Sequence, residues 1–198
     1  PEITCRSVKY IDEQAQKENP FFLYFAMTSP HTPISPSPQF QGKSGISPYA
    51  DFLIETDWCV GQLMEAVERN GISKDTLIIF TTDNGTSPKA DFAKLRKHGA
   101  ELQNHWRGNK ADAFEGGHRV PFLASWPGVI KPSTSSNQTI PLVDIMATSA
   151  EAAGIKYADT AAEDSISLLS VMKDTSITKP LHHLDNYVSS PHFPSYCV

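Results

Sequence analysis

Long apolar runs and basic blocks are both missing from this sequence. No stretch approaches the roughly 18 consecutive apolar residues of a transmembrane helix, so no membrane segment is predicted. The 198 residues include 17 Lys and Arg against 22 Asp and Glu, a net charge of -5, and no Lys/Arg cluster offsets this acidity. General binding to nucleic acid is therefore disfavoured, and an anionic partner has to be met by a local group of cations.

Cysteine is also scarce. The three cysteines, Cys5, Cys59 and Cys197, are widely spaced and form no C-x-x-C pair, which argues against a disulfide framework and a zinc knuckle. They leave the redox compartment undecided. The sequence begins Pro1-Glu2-Ile3, without an initiator Met or a signal-peptide pattern, so the compartment is unknown from the sequence.

The composition is that of a globular domain, 39% hydrophobic and 20% charged. Apolar spacing predicts a helix capped by Thr4 and ending near Asn19, and FFLYFA (21–26) predicts a buried strand. A proline-rich loop over 30–48 precedes an amphipathic helix from about Tyr49 to Asn70, and TLIIFTT (76–82) predicts a second buried strand. A strand, helix, strand order favours an α/β fold with a parallel sheet.

The second half is less regular. PFLASW (121–126) predicts a third strand after a polar stretch over 88–118. Asp144 is predicted to cap a helix that ends before Gly154, and a short apolar helix is indicated around 166–172.

Polar side chains follow the first two predicted strands. His31 lies in Ser29-Pro30-His31-Thr32-Pro33, and Asp83-Asn84-Gly85 ends the second strand. Both strand ends are expected to open on one crevice, since ligands bind beyond the carboxyl ends of parallel strands. Oxygen donors of Asp83 and Asn84 suit calcium or magnesium better than zinc, although Asp-Asn-Gly is also a common turn tripeptide.

Two side chains are further candidates for contact with an anion. His31 has the chemistry to donate to an oxyanion, and Lys110, in Arg-Gly-Asn-Lys, is able to direct a compact positive charge into a crevice. Alone, a loop histidine or a lysine is equally compatible with an ordinary surface position. Glu115 and Arg119 flank a glycine pair and are predicted to brace the Lys110 loop through an ion pair.

Taken in order, these motifs resemble those of the type I sulfatases of the alkaline phosphatase superfamily. The resemblance runs from about Thr4 to Leu169 and rests on HTP after the first strand, TTDNG, RGNKADAFEGGHRVPFLASWPG and DIMATSAEAAG. It implies an incomplete alkaline phosphatase-like α/β fold, with a mostly parallel sheet flanked by helices. It also implies that Asp83 and Asn84 ligate Ca²⁺, with Mg²⁺ the lesser candidate, and that His31 and Lys110 bind the sulfate group as catalytic residues.

One part of the family pattern has no counterpart in this chain. Type I sulfatases carry a cysteine in a C-x-P-S-R or C-x-A-S-R setting that is converted to formylglycine, whereas Cys5 is followed by Arg6-Ser7-Val8. The nucleophile is therefore expected in an upstream region, and the isolated chain is expected to be inactive. Residues 1–155 are predicted to be the C-terminal half of a catalytic domain. Residues 156–198 are predicted to be a linker and the start of a truncated C-terminal subdomain.

The resemblance predicts hydrolysis of sulfate monoesters in the complete enzyme, acting on a sulfated small molecule or glycan. The alternatives are a noncatalytic remnant that binds sulfated glycans and a phosphate-ester hydrolase of the same superfamily. The family also implies an extracytoplasmic location, periplasmic or secreted. The roles of His182 and His183, which resemble a pair at the subdomain junction, and the oligomeric state remain open.

Overall fold

The computed structural model describes residues 1–158 and 160–182 of the chain. Its α-helices are α1 (Glu2–Gln14), α2 (Pro48–Arg69), α3 (Phe92–Lys97), α4 (Glu115–His118), α5 (Asp144–Ala152) and α6 (Leu169–Lys173), and its strands are β1 (Ile78–Thr81), β2 (Leu102–His105) and β3 (Phe122–Ser125). Helices and strands alternate from α2 to β3, in agreement with the predicted α/β class. Within these residues no helix has both the length and the apolar character needed to span a membrane.

The long helix α2 confirms the predicted helix over 49–70. The Ser47 side chain accepts a hydrogen bond from the Ala50 N–H at its start, and Pro48 fills the first helical position, where no N–H is needed. At its other end Gly71 has a φ of 71°, in the left-handed region that commonly follows a helix C-terminus and favours glycine. The apolar face of α2 packs on α1, where Ala66 and Val67 form a cluster with Ile11.

Helix α1 differs from its prediction at both ends. It begins at Glu2 and ends at Gln14, so Thr4 lies inside the helix and does not cap it. The Thr4 side chain is buried against α2, where its hydroxyl donates to Cys59 Sγ at 3.2 Å. The capping prediction was wrong because the Thr4 hydroxyl bonds across to the neighbouring helix.

The strand pair in the structure is not the parallel pair predicted between FFLYFA (21–26) and the strand over 76–82. β1 pairs with β3 in antiparallel fashion, with Ile78 opposite Ser125 and Thr81 opposite Phe122, and this is the sheet found within residues 1–158 and 160–182. The predicted strands over 76–82 and 121–126 are thus confirmed in shorter form. The segment between them contains α3, β2 and α4, and after it β3 runs back along β1.

The segment FFLYFA is not a strand in the structure, which corrects that prediction. Its side chains nevertheless alternate: Phe21 and Leu23 pack against the cluster around Ile11, whereas Phe22 is 64% exposed and Tyr24 is 79% exposed. Such alternation is typical of an extended segment with one covered face. Within the described residues, no neighbouring strand forms a hydrogen-bonded ladder with FFLYFA.

The helix α5 begins at Asp144, which was predicted to be its cap. Val143 occupies the capping position, while the Asp144 side chain turns inward and accepts a hydrogen bond from the Ile166 N–H at 2.8 Å. The side chain is completely buried, so its carboxylate bonds to residues far along the chain and not to the first turn of its own helix. The predicted end of this helix before Gly154 is confirmed.

Candidate functional site

The turn after β1 carries two of the predicted site residues. β1 ends at Thr81, and the Thr82 hydroxyl donates to the Asn84 carbonyl oxygen at 3.2 Å. Asn84 Nδ2 donates to the Gly85 carbonyl oxygen at 2.9 Å. The turn is therefore closed by its own side chains, with the Asp83 side chain exposed and Asn84 half-buried.

A second segment docks on this turn through its backbone. Residues 107–119, here called the glycine loop, accept a hydrogen bond from the Gly85 N–H at the Gly117 carbonyl oxygen, at 2.8 Å. The Lys110 N–H donates in return to the Thr86 carbonyl oxygen at 3.0 Å. The structure thus brings the Asp83–Asn84 turn and the Lys110 segment together although 26 positions separate Asn84 from Lys110.

Glycine is required where these two segments meet. A Cβ placed on Gly85 would overlap the carbonyl group of Gly116, and the buried Gly116 and Gly117 have equally little room for one. Only residues without side chains allow the two backbones to approach this closely. The glycines of TTDNG and EGGHR are therefore explained by packing of backbone on backbone.

The glycine loop is also closed on itself. The Gly116 N–H donates to the Arg107 carbonyl oxygen at 2.7 Å, which ties the ends of the loop together. Inside it, Asp112 Oδ2 accepts from the Asn109 backbone N–H at 2.9 Å and from Asn109 Nδ2 at 3.2 Å. A loop with this many internal bonds presents its side chains from a fixed backbone.

Lys110 is half-buried on this loop. Its side chain makes no ion pair with the described residues, so its charge is available to a ligand. The predicted brace is confirmed: Arg119 Nη1 lies 2.8 Å from Glu115 Oε2, and the Arg119 guanidinium also stacks 4.1 Å from the centre of the Trp106 ring. Two of the charges on this loop are thus paired with each other and not with Lys110.

His31 lies on a different loop and is exposed. Its Nδ1 is 2.8 Å from the Thr32 carbonyl oxygen, within the same loop. Within the described part of the chain, no hydrogen bond joins His31 to the Asp83–Asn84 turn or to the glycine loop. The structure therefore brings three of the four predicted residues onto two docked segments and places His31 on a separately anchored one.

Two buried carboxylates of α2 anchor the loop that follows His31. Glu55 Oε2 accepts from the Ser37 N–H at 2.7 Å, and Glu55 Oε1 accepts from the Ser37 hydroxyl at 2.6 Å. One turn earlier, Asp51 accepts from the N–H groups of Gly42 and Ser44, each at 2.7 Å, and from the Ser44 hydroxyl at 2.6 Å. Residues 34–47, here called the proline loop, are thereby held against the helix.

Neither anchor was predicted from the sequence. Asp51 and Glu55 are four residues apart, and hence on one face of the helix, among buried apolar side chains. Acidic residues on the covered face of an amphipathic helix indicate an anchored neighbouring segment, because a buried charge needs hydrogen-bond donors. The Ser44 hydroxyl, followed by the backbone N–H groups of Ser44 and Gly42, lowers the pKa of Asp51 below its ordinary value.

The donor chemistry of the turn suits a hard cation, but the donors are too few. The Asp83 carboxylate makes no hydrogen bond to the described residues, and Asn84 keeps its amide oxygen for a ligand because Nδ2 is the bonded atom. Calcium typically takes about 6 to 8 oxygen ligands. In the part of the chain that the structure describes, no group of three or more His, Cys, Asp or Glu side chains is placed to hold a metal. Asp83 and Asn84 therefore fit part of a calcium site and do not form one alone.

His182 has a structural partner. Its Nε2 lies 2.7 Å from Asp144 Oδ2, and both side chains are buried. Burial raises the pKa of Asp144, and the hydrogen bonds from the Ile166 N–H and from His182 oppose this shift. The pair fastens residue 182 to α5; His183 lies outside the described residues.

Known proteins resemble this chain over a region that includes the Asp83–Asn84 turn and the glycine loop. The family model described as Sulfatase matches residues 2–155, which is more than half of the chain. An N-acetylgalactosamine-6-O-sulfatase of Bacteroides thetaiotaomicron is 34% identical over 154 residues, covering 76% of this chain and 30% of that protein. The N-acetylgalactosamine-6-sulfatase of Mus musculus is 33% identical over 181 residues, covering 91% of this chain and 34% of that protein. The chain thus spans about a third of the length of these curated relatives.

Solved structures give the same result for the fold. A structure from work on glycosaminoglycan metabolism by Bacteroides thetaiotaomicron superposes with a TM-score of 0.73 at 31% identity, over 85% of this chain and 35% of that one. A sulfatase from Pseudoalteromonas sp. gives a TM-score of 0.73 at 28% identity, over 87% of this chain and 34% of that one. These matches confirm the predicted alkaline phosphatase-like α/β class.

Proposed function

This chain belongs to the sulfatase family, and we propose that it is part of an enzyme that hydrolyses sulfate monoesters. Residues 1–155 form the C-terminal half of the catalytic domain in this proposal, and residues 156–198 form a linker and the start of a C-terminal subdomain. The family match over residues 2–155 supports that division. The full-length relatives that carry sulfatase names are sulfuric ester hydrolases.

The observation that carries the proposal is the docking of the Asp83–Asn84 turn on the glycine loop. Two backbone hydrogen bonds, Gly85 to Gly117 and Lys110 to Thr86, join a pair of oxygen ligands to a segment that carries an unpaired ammonium. Oxygen donors for a cation and a positively charged side chain for an anion thereby lie on two adjoining segments. A tetrahedral sulfate monoester, which is a monoanion, needs this combination when a dication and a lysine bind it.

Each proposed residue has a distinct role. Lys110 and His31 bind the sulfate oxygens and act as catalytic residues, because a positive charge and a hydrogen-bond donor stabilise the charge that develops as the ester oxygen leaves. Asp83 and Asn84 supply two ligands of a Ca²⁺ site, and other parts of the complete protein supply the rest. When bound, the cation would polarise the sulfate group. The nucleophile, a formylglycine, lies in an upstream region, so the 198-residue chain alone is inactive.

The substrate class proposed is a sulfated carbohydrate. The relatives named above include sulfatases for N-acetylgalactosamine 6-sulfate, and a structure with a TM-score of 0.74 at 28% identity was determined in complex with k-i-k-neocarrahexaose. These names support a glycan substrate for this chain. An extracytoplasmic location, periplasmic or secreted, is proposed with it, because polymeric glycans are met outside the cytoplasm.

The test uses the complete gene product, which the DNA upstream of Pro1 defines. An in-frame extension with a C-x-P-S-R or C-x-A-S-R cysteine is expected. The purified protein should then hydrolyse 4-nitrophenyl sulfate faster than 4-nitrophenyl phosphate, lose activity in a calcium chelator and regain it with added Ca²⁺. Faster turnover of the phosphate ester would assign the chain to phosphate chemistry, and sulfated-glycan binding without turnover would leave a noncatalytic binding protein.

A further inference from the structure

The glycine loop carries two arginines with different surroundings. Both guanidinium groups lie over aromatic rings: Arg119 is 4.1 Å from the centre of the Trp106 ring, and Arg107 is 3.7 Å from the centre of the Phe114 ring. Arg119 is neutralised by Glu115 at 2.8 Å. Arg107 is exposed and pairs with no carboxylate in the part of the chain that the structure describes.

Stacking on Phe114 orients the Arg107 guanidinium so that it can bind an anion. A guanidinium that lies against a ring is held by its face, which leaves the N–H groups at its edge free to make paired hydrogen bonds. Phe114 is 45% exposed, so the stack lies at the surface, where a ligand has access. The Arg107 carbonyl oxygen also accepts the Gly116 N–H at 2.7 Å, which fixes the backbone of the arginine. Little conformational freedom is therefore left to lose when an anion binds.

Arg107 is also close to Lys110. Residues three positions apart have Cα atoms within about 11 Å of each other, even in a fully extended chain. This spacing is compatible with Lys110 binding one sulfate group while the Arg107 side chain binds a second acidic substituent on the same or the next sugar ring.

We propose that Arg107, stacked on Phe114, forms a second anion subsite that binds another sulfate group of a multiply sulfated glycan. This inference rests on the proposed function of Lys110 and deepens it, because it selects substrates that carry more than one sulfate. A charge-assisted, paired hydrogen bond to sulfate is expected to strengthen binding by about tenfold.

The test compares two ligands that differ by one sulfate. N-acetylgalactosamine 6-sulfate and N-acetylgalactosamine 4,6-disulfate are titrated into the complete gene product in which the upstream formylglycine cysteine is replaced by serine, and the dissociation constants are measured by calorimetry at physiological ionic strength. Because this substitution removes the proposed nucleophile, the esters are not consumed. The disulfate is expected to bind about tenfold more tightly than the monosulfate.

Variants locate the source of that difference. Arg107→Gln should abolish the preference for the disulfate and leave the monosulfate affinity unchanged. Arg107→Lys keeps the charge but loses the planar guanidinium, and Phe114→Leu keeps the arginine but loses the ring on which it stacks. Each variant should therefore retain a preference for the disulfate of about threefold. Arg6→Gln, at an exposed arginine of α1 that pairs with Glu2, is the matched control for loss of one positive charge and should change neither affinity.

The outcomes separate the two proposals. A tenfold preference that survives in Arg107→Gln, or an equal loss for both ligands, overturns the second subsite. A monosulfate that binds while the disulfate binds no more tightly overturns the subsite alone. Absence of binding by either ligand to this complete protein, with Arg107 in place and Ca²⁺ present, contradicts the sulfate site proposed at Lys110, and the second subsite with it.

Discussion

The proline loop and the glycine loop are held in place in opposite ways. Side chains hold the proline loop: the carboxylates of Asp51 and Glu55 accept hydrogen bonds from its N–H and hydroxyl groups. Backbone atoms hold the glycine loop, through contacts so close that Gly85, Gly116 and Gly117 have no room for a Cβ. The first loop therefore depends on two charges of α2, and the second depends on the absence of side chains.

The largest effect is expected when a side chain is placed between the docked backbones. Gly85→Ala should lower the free energy of unfolding by about 2 to 3 kcal/mol, because the added methyl group overlaps the Gly116 carbonyl. Gly61→Ala is the matched control: nothing lies within 4 Å of the added Cβ, and α2 should gain about 1 kcal/mol from the better helix former. Urea denaturation measures both, and equal effects would contradict the close-packing argument.

A smaller effect is expected when one anchor of the proline loop is removed. Glu55→Ala should lower the free energy of unfolding by about 1 to 2 kcal/mol, because the half-buried Ser37 N–H and hydroxyl lose their acceptors. Asp57→Ala, two residues along on the exposed face of α2, is the control and should change it little. Hydrogen exchange of the Ser37 amide should accelerate only in the first variant; unchanged exchange there would show that Glu55 does not hold the loop.

The smallest effect depends on pH. Hydrogen bonds from Ser44 and Gly42 lower the pKa of Asp51 in the folded chain. The stabilisation that the Asp51 carboxylate gives to the fold is therefore fully present above its unfolded-state pKa, and it is lost as the pH falls through the lower, folded-state pKa. The difference in urea midpoint between the unaltered chain and Asp51→Asn should therefore be present at pH 6 and shrink below about pH 4. For Gly85→Ala the difference should not shrink in this range. A constant gap for Asp51→Asn would contradict the role of its charge.

The sequence predicted the elements whose signals are local. α2 has a serine cap, an N-terminal proline and a C-terminal glycine, and β1 and β3 are short apolar runs with turn residues after them. The ion pair between Glu115 and Arg119 follows from their spacing of four residues. These features are set by neighbours along the chain, and the structure confirms them.

The features that the sequence did not predict depend on distant partners. FFLYFA has the composition of a strand, but a ladder requires a neighbouring strand that the described residues do not supply. Thr4 and Asp144 have the chemistry of helix caps, yet their side chains bond to Cys59 and to Ile166 and His182. The anchors of the proline loop were missed for the same reason, since their donors lie 7 to 18 positions away along the chain.

For the candidate site, the family motifs indicated which residues to consider, and the fold shows which of them share a location. The Asp83–Asn84 turn and Lys110 lie on docked segments, and His31 lies on a third. The roles of these four residues stay predictions. So does the calcium site, because two oxygen-bearing side chains do not complete it.

The most direct test of the proposed sulfatase function is the hydrolysis of 4-nitrophenyl sulfate by the complete gene product and two of its lysine variants. Lys110→Ala should lower kcat/KM by about a hundredfold or more, because a fixed positive charge is lost from the sulfate group. Lys9→Ala, at an exposed lysine of α1, should leave it unchanged. Unaltered turnover in Lys110→Ala would contradict the account of the docked turn and loop as a sulfate-binding site.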